Sequence, residues 1–182
     1  MRTLGLAVLL ALAVGAGCKP ATPISTTPAP TAAIPVDVTG VKFEALDAAV
    51  KEHKGKVVLI DFWATWCPPC VKYFPDFVEM HKKYADRGLV CMSVNLEKNP
   101  NWKRGEYSEA KVKAFLEKNG ATFPNFVSTD KDDDQITERF GPIPGIPHKA
   151  LFANDGKRVW TSAERRLDDE ELEQLIETEL AK

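Results

Sequence analysis

The sequence predicts an α/β protein built on one mixed sheet with helices on both faces, parallel in its middle and antiparallel near its end. Three observations predict it. Residues 57–63, VVLIDFW, form a nearly unbroken apolar run, as in a strand buried on both faces. After this run, apolar residues recur at helical spacing from Cys70 to Ala85, and strand-like and helix-like stretches keep alternating. Finally, Asn154-Asp155-Gly156 separates two short strand patterns and reads as a hairpin turn.

Each segment can be taken in order. Met1-Arg2 is a short positive start, and residues 4–14 are apolar but too short to span a bilayer in the usual way, so residues 1–17 read as a secretory signal. Residues 18–35 are rich in Pro, Thr and Ala and read as an extended tether. The remaining 36–182 form the folded domain. Phe43, Leu46, Val50 and His53 share helical spacing, and Gly55 closes that segment; His53 is a polar residue at a helix end. The strand at 57–63 follows.

The next helix places Cys70, Phe74, Phe77, Val78, His81 and Ala85 on one face, with Pro75 inside it as an expected kink and Gly88 at its end. His81 falls at an interface rather than in the chemistry. Residues 89–96 read as a strand whose Cys91 behaves as a small buried apolar residue. Residues 97–107 are polar, contain Pro100 and Gly105, and read as a loop. Ser108 opens a helix that Gly120 stops, and 122–127 is the expected next strand. Residues 131–134 are a charged, solvated turn before a short helix ending at Gly141. Strands at 150–152 and 158–161 flank the hairpin turn, and Leu172, Leu175, Ile176 and Leu180 mark a last helix, capped by Asp168 with Glu171.

Composition narrows the function. With 182 residues and 44% hydrophobic content there is enough material for a real core, and a net charge of −2 points away from nucleic acid as a partner. The four cysteines do not make a disulfide scaffold, because only Cys67 and Cys70 lie close together. That pair stands where a strand ends and a helix begins, a place that favours a thiolate, so Cys67-Pro68-Pro69-Cys70 has the form of a thiol–disulfide redox site. Cys67, at the helix start, is expected to be the exposed nucleophile, and Cys70, one turn inward, the resolving thiol. Asp61 interrupts the apolar strand; burial raises the pKa of such an acid, and the role open to it is to take the proton from Cys70. Pro68 and Pro69 remove two N–H donors from the helix start, and Trp66 is expected to cover one side of the site while Trp63 joins the core.

Trp66-Cys67-Pro68-Pro69-Cys70, with Asp61 six residues before and Pro75 five after, resembles the active-site segment of the thioredoxin superfamily. Gly55-Lys56-Val57-Val58 and Gly145-Ile146-Pro147 narrow the resemblance to TlpA/ResA-like, membrane-anchored thiol–disulfide oxidoreductases of bacteria, over roughly residues 36–182. The resemblance implies a thioredoxin fold with an insertion, a cis Ile146–Pro147 bond facing the Cys pair, and substrate contacts from Trp66, Pro68, Pro69, Ile146 and Pro147. It also implies reduction of protein disulfides, client proteins carrying thiols or disulfides, an upstream membrane electron donor, and no cofactor beyond the Cys67–Cys70 disulfide. A monomer is expected. Gly15-Ala16-Gly17-Cys18 resembles a bacterial lipobox, with Gly15 where Leu is usual; Cys18 is then the lipidated residue, and the alternative is ordinary cleavage nearby. Either reading puts the domain outside the cytosol, in the periplasm or on the outer face of the membrane.

Two departures are visible. Pro68 replaces the glycine familiar from thioredoxin itself, and His148 occupies a position where the family has Thr. An alternative function follows from the second: two thiolates plus His148 form a soft donor set for Cu(I), although no resident metal is expected.

Overall fold

The computed structural model describes residues 36–130 and 133–182. The signal, the tether and Cys18 lie outside the described residues, as do the first two positions of the charged turn at 131–134. The described chain runs β1 (Thr39–Val41), α1 (Phe43–Glu52), β2 (Val57–Trp63), α2 (Pro68–Tyr84), β3 (Leu89–Asn95), α3 (Glu109–Asn119), β4 (Asn125–Ser128), α4 (Asp133–Phe140), β5 (His148–Phe152), β6 (Arg158–Thr161) and α5 (Asp169–Leu180), with one turn of 3-10 helix, Ala85–Arg87, after α2.

The six strands form one sheet in the order β1-β4-β3-β2-β5-β6. β1, β4, β3 and β2 pair in parallel, whereas β5 runs antiparallel to both β2 and β6. β2 is therefore central and covered on both sides, which explains its unbroken apolar sequence: all seven of its residues are buried. Because side chains alternate along a strand, Val57, Leu59 and Trp63 point to one face and Val58, Ile60 and Phe62 to the other. The first face packs against α2, α3 and α5 through Phe74, Phe77, Leu116 and Ile176. The second packs against α1 and α4 through Leu46, Val50, Ile136 and Phe140. Each large apolar side chain taken fully out of water contributes about 1.5–3 kcal/mol, so both faces hold the sheet.

Local chemistry fixes several helix ends. Ser108 accepts a hydrogen bond from the Lys111 N–H at the start of α3, and Gly120 ends that helix at φ +68°. Asp168 and Glu171 form the full capping box at α5. Pro75 sits inside α2 without ending it.

Two elements depart from expectation. β1 has only three residues, one of them buried, too few to show a period, and it takes its place at the sheet edge by pairing with β4. β4 begins at Asn125 rather than at residue 122, because Ala121 to Pro124 form a turn whose Pro124 carbonyl accepts from the Ser93 N–H and whose Ala121 and Phe123 carbonyls accept from the Asn125 side chain. Cys91 is a buried free thiol in β3, as a core residue should be.

Candidate functional site

β2 ends at Trp63, and four residues later Cys67 becomes the N-cap of α2 in an extended conformation, φ −95° and ψ 102°. Pro68 and Pro69 take the first two helical positions, where a missing N–H is tolerated. With those donors absent, Cys70 N–H is the helix-start donor that reaches Cys67 Sγ, at 3.3 Å. The two cysteines are joined in a disulfide with their Cα atoms 5.2 Å apart.

The expectation of an exposed Cys67 is corrected. It is only 4% exposed in the disulfide, against 1% for Cys70, and belongs to the core cluster against which Trp66 and Ile146 pack. Its sulfur lies 3.4 Å from the Ile146 carbonyl oxygen. In the disulfide this is a contact without a proton; in the dithiol the Cys67 S–H is placed to donate to that carbonyl. The Ile146–Pro147 bond is cis.

Trp63 is fully buried and belongs to the core, its ring tilted against Phe74 and Phe115 with centres 4.9 Å and 4.8 Å away. Aromatic pairs of this kind contribute about 0.5–1.5 kcal/mol beyond burial, and here they join β2, α2 and α3 through Trp63, Phe74 and Phe115. Trp66 is half-buried, with the Arg104 guanidinium 4.6 Å from its ring centre. Pro68 and Pro69 are exposed beside the disulfide.

Asp61 is 1% exposed and, by the alternation of β2, lies on the face that carries α2 and the cysteine pair. Burial pushes its carboxyl above the usual carboxylate range, and the charge of Lys149 pulls part of the way back. Lys149 Nζ lies 2.9 Å from Asp61 Oδ1 as an ion pair, although Oδ1 has no well-oriented hydrogen bond among the described residues. The distance marks charge proximity, and the remaining desolvation keeps the net shift upward. The same environment pushes the Cys91 thiol up, through burial first and the nearby Asp61 charge second.

Lys149 was not expected from the sequence, since its position opposite Asp61 depends on the antiparallel register of β2 and β5. Glu97 was missed as well. It is nearly buried, and its Oε1 accepts from Thr65 N–H at 2.6 Å and from Asn95 Nδ2 at 3.3 Å, which ties the loop after β3 to the residue two before Cys67. A polar loop with a single acid beside a strand end gives little warning of such a contact.

His148 corrects the copper reading. It is buried on the opposite sheet face, beside Phe62 with ring centres 5.6 Å apart, and both ring nitrogens are engaged: Nε2 with the Phe140 carbonyl at 3.3 Å and Nδ1 with the Ser162 hydroxyl at 3.2 Å. Burial lowers its pKa, so it stays neutral, and it does not meet the Cys pair. Among the described residues no cluster of three or more His, Cys, Asp or Glu stands ready to hold a metal. His81 packs edge-on against the Phe123 ring at 5.1 Å, an interfacial place.

Comparisons with known proteins agree on one class. The Redoxin family matches residues 29–176. The thiol–disulfide oxidoreductase ResA of Bacillus thuringiensis subsp. konkukian is 32% identical over 123 residues, covering 68% of this chain and 61% of that protein, so the match spans about three fifths of the relative's length. Among solved structures, the pneumococcal exposed lipoprotein thioredoxin Etrx1 of Streptococcus pneumoniae strain TIGR4 is 27% identical with a TM-score of 0.53, covering 71% of this chain and 89% of that one. The thioredoxin domain of a thiol–disulfide oxidoreductase from Bacteroides vulgatus is 26% identical with a TM-score of 0.52, covering 70% and 81%. The sheet described above is thus a thioredoxin fold.

Proposed function

Because this chain belongs to the Redoxin family, we propose that it is an exported thiol–disulfide oxidoreductase that reduces protein disulfides through Cys67 and Cys70. The observation that carries the reading is the Cys67–Cys70 disulfide at the N-cap of α2, with the Ile146 carbonyl 3.4 Å from Cys67 Sγ. Similarity to a protein named as a thiol–disulfide oxidoreductase supports it.

The reaction starts from the dithiol. Cys67, at the helix start, acts as the nucleophilic thiolate. It attacks one sulfur of a client disulfide; the client S–S bond breaks, one client thiolate leaves, and a Cys67–client mixed disulfide forms. Cys70 then loses its proton toward the Asp61 carboxylate and attacks Cys67 Sγ. The second client thiolate departs, so the client has gained two electrons and the enzyme has become the Cys67–Cys70 disulfide. Return to the dithiol needs two electrons and two protons from an upstream dithiol donor. Trp66, Pro68, Pro69, Ile146 and Pro147 border the sulfur and form the surface that an extended client strand meets.

The tether and lipid anchor belong to the same proposal. The relative described as an exposed lipoprotein thioredoxin supports anchoring through Cys18, which would hold the domain at the outer face of a membrane. Among the described residues no helix is long and apolar enough to cross a membrane.

Insulin reduction by dithiothreitol tests the activity. The purified protein is expected to accelerate it, and Cys67→Ser to abolish the acceleration. A wild-type rate equal to the uncatalysed rate would refute the proposal.

A further inference from the structure

The loop of residues 97–107 carries charges that the disulfide chemistry does not use. It contains Lys98, Lys103 and Arg104, and only two carboxylates, Glu97 and Glu106. Glu97 is turned inward and spent on Thr65 N–H, which leaves Glu106 in the loop and Glu109, close enough to act on Tyr107, as the nearby carboxylates. Among the described residues none of the three forms an ion pair. The whole chain has a net charge of −2, so a cationic patch here is a local feature and not a general property of the surface.

The loop is also held in place. Trp102 packs against the core on the α1 and α4 side of the sheet and Tyr107 against the core on the α2 side, so the loop straddles the end of the parallel strands. Asn99 accepts from the Asn101 N–H with its side chain and from the Trp102 N–H with its carbonyl, and the Lys98 ammonium sits 4.4 Å from the Tyr107 ring centre. Between those anchors Lys103 and Arg104 are exposed, and the Arg104 guanidinium lies over Trp66, the residue before Cys67.

We propose that this loop is a client-docking surface that selects protein segments bearing Asp or Glu beside the disulfide to be reduced. The inference rests on the oxidoreductase reading and adds a substrate class to it. The Arg104 guanidinium centre lies 4.6 Å from the Trp66 ring centre and forms no ion pair among the described residues, so its N–H fork is open to a client carboxylate in two parallel hydrogen bonds. Cations on a loop that reaches over Trp66, the residue before Cys67, also raise the encounter rate of an acidic segment and lower that of a basic one.

The test uses the reduced full-length protein and three cystine peptides of equal length whose flanking residues are acidic, neutral or basic, with neutral hydroxyethyl disulfide as a reference. Wild type is expected to reduce the acidic peptide with a second-order rate constant about tenfold higher than for the basic peptide at low salt. That preference should fade toward about 1 M salt, where the Debye length shrinks to about 3 Å. Lys103→Glu with Arg104→Glu should invert the ratio, and Arg104→Gln should reduce it. An acidic-to-basic ratio that stays the same in all three proteins, with hydroxyethyl disulfide still reduced, would overturn the docking surface and leave the oxidoreductase reading standing. Failure of wild type to reduce any of the four disulfides would overturn both.

Discussion

Lys149 Nζ approaches Asp61 Oδ1 to 2.9 Å across the β2–β5 ladder, one strand carrying the acid and the other its counter-charge. Asp61 is buried, whereas the Lys149 side chain keeps 18% of its surface exposed and reaches toward water. The pair therefore brings a carboxyl into the core with a cation that remains partly solvated.

The pH dependence of stability follows from the raised Asp61 pKa. Below about pH 4 the carboxyl is protonated in folded and unfolded chains alike and contributes nothing. As pH rises, the unfolded chain releases its proton first while the native protein keeps it, so stability is lost until the folded pKa is passed. Each unit of that displacement corresponds to about 1.4 kcal/mol at pH 8. Asp61→Asn is thus expected to be more stable than wild type at pH 8 and equal to it near pH 4. Lys149→Met, which strands the acid, should cost about 1–3 kcal/mol at pH 8 and less at pH 4. Urea melts of both variants at the two pH values check this; a constant difference for each would remove the titration from the account.

Gly141 tests the packing of the turn that leads into the cis-proline loop. It adopts φ +85°, and a Cβ there would come within 2.7 Å of Thr161 Cγ2. Backbone strain and overpacking each cost about 1–3 kcal/mol, so Gly141→Ala should be destabilised by roughly 2–6 kcal/mol in the same melts. Gly156, also at positive φ but with open space around it, should show the smaller loss when changed to Ala.

The lipid anchor has a separate test. With Cys18→Ser the domain should leave the membrane fraction of cells while its disulfide reductase rate in vitro stays the same, because residues 18–35 and the folded domain are proposed to be independent units. A wild-type protein that is already soluble after export would refute lipidation.

What could be read from the sequence was local. The apolar run of β2, the helical period after Cys70, the Ser108 cap and the Asp168–Glu171 box each carry their signal within a few residues, and each appears where it was expected. β1 carries no readable signal because three residues with one buried show no period, and Thr122 and Phe123 look strand-like although pairing starts only at Asn125, after Pro124. At the site, the cysteine pair and Asp61 were visible as residues, but their partners were not. Lys149 opposite Asp61 and Glu97 beneath Thr65 are set by strand register and by the path of a loop, neither of which a single sequence specifies. The face on which His148 lies is the same kind of unknown, since it follows Pro147 directly and one residue of register would have turned it toward the cysteines.

The central claim is that Cys67 attacks and Cys70 resolves, and trapping the mixed disulfide tests it most directly. Cys70→Ser, reacted with a cystine-containing protein and digested under non-reducing conditions, should yield by mass spectrometry a client peptide joined to the peptide carrying Cys67. Cys70→Ser with Cys67→Ser should yield none, and Cys91→Ser in the wild-type background should turn over as wild type, because that thiol is fully buried. An adduct on Cys91, or one that persists without Cys67, would contradict the assignment.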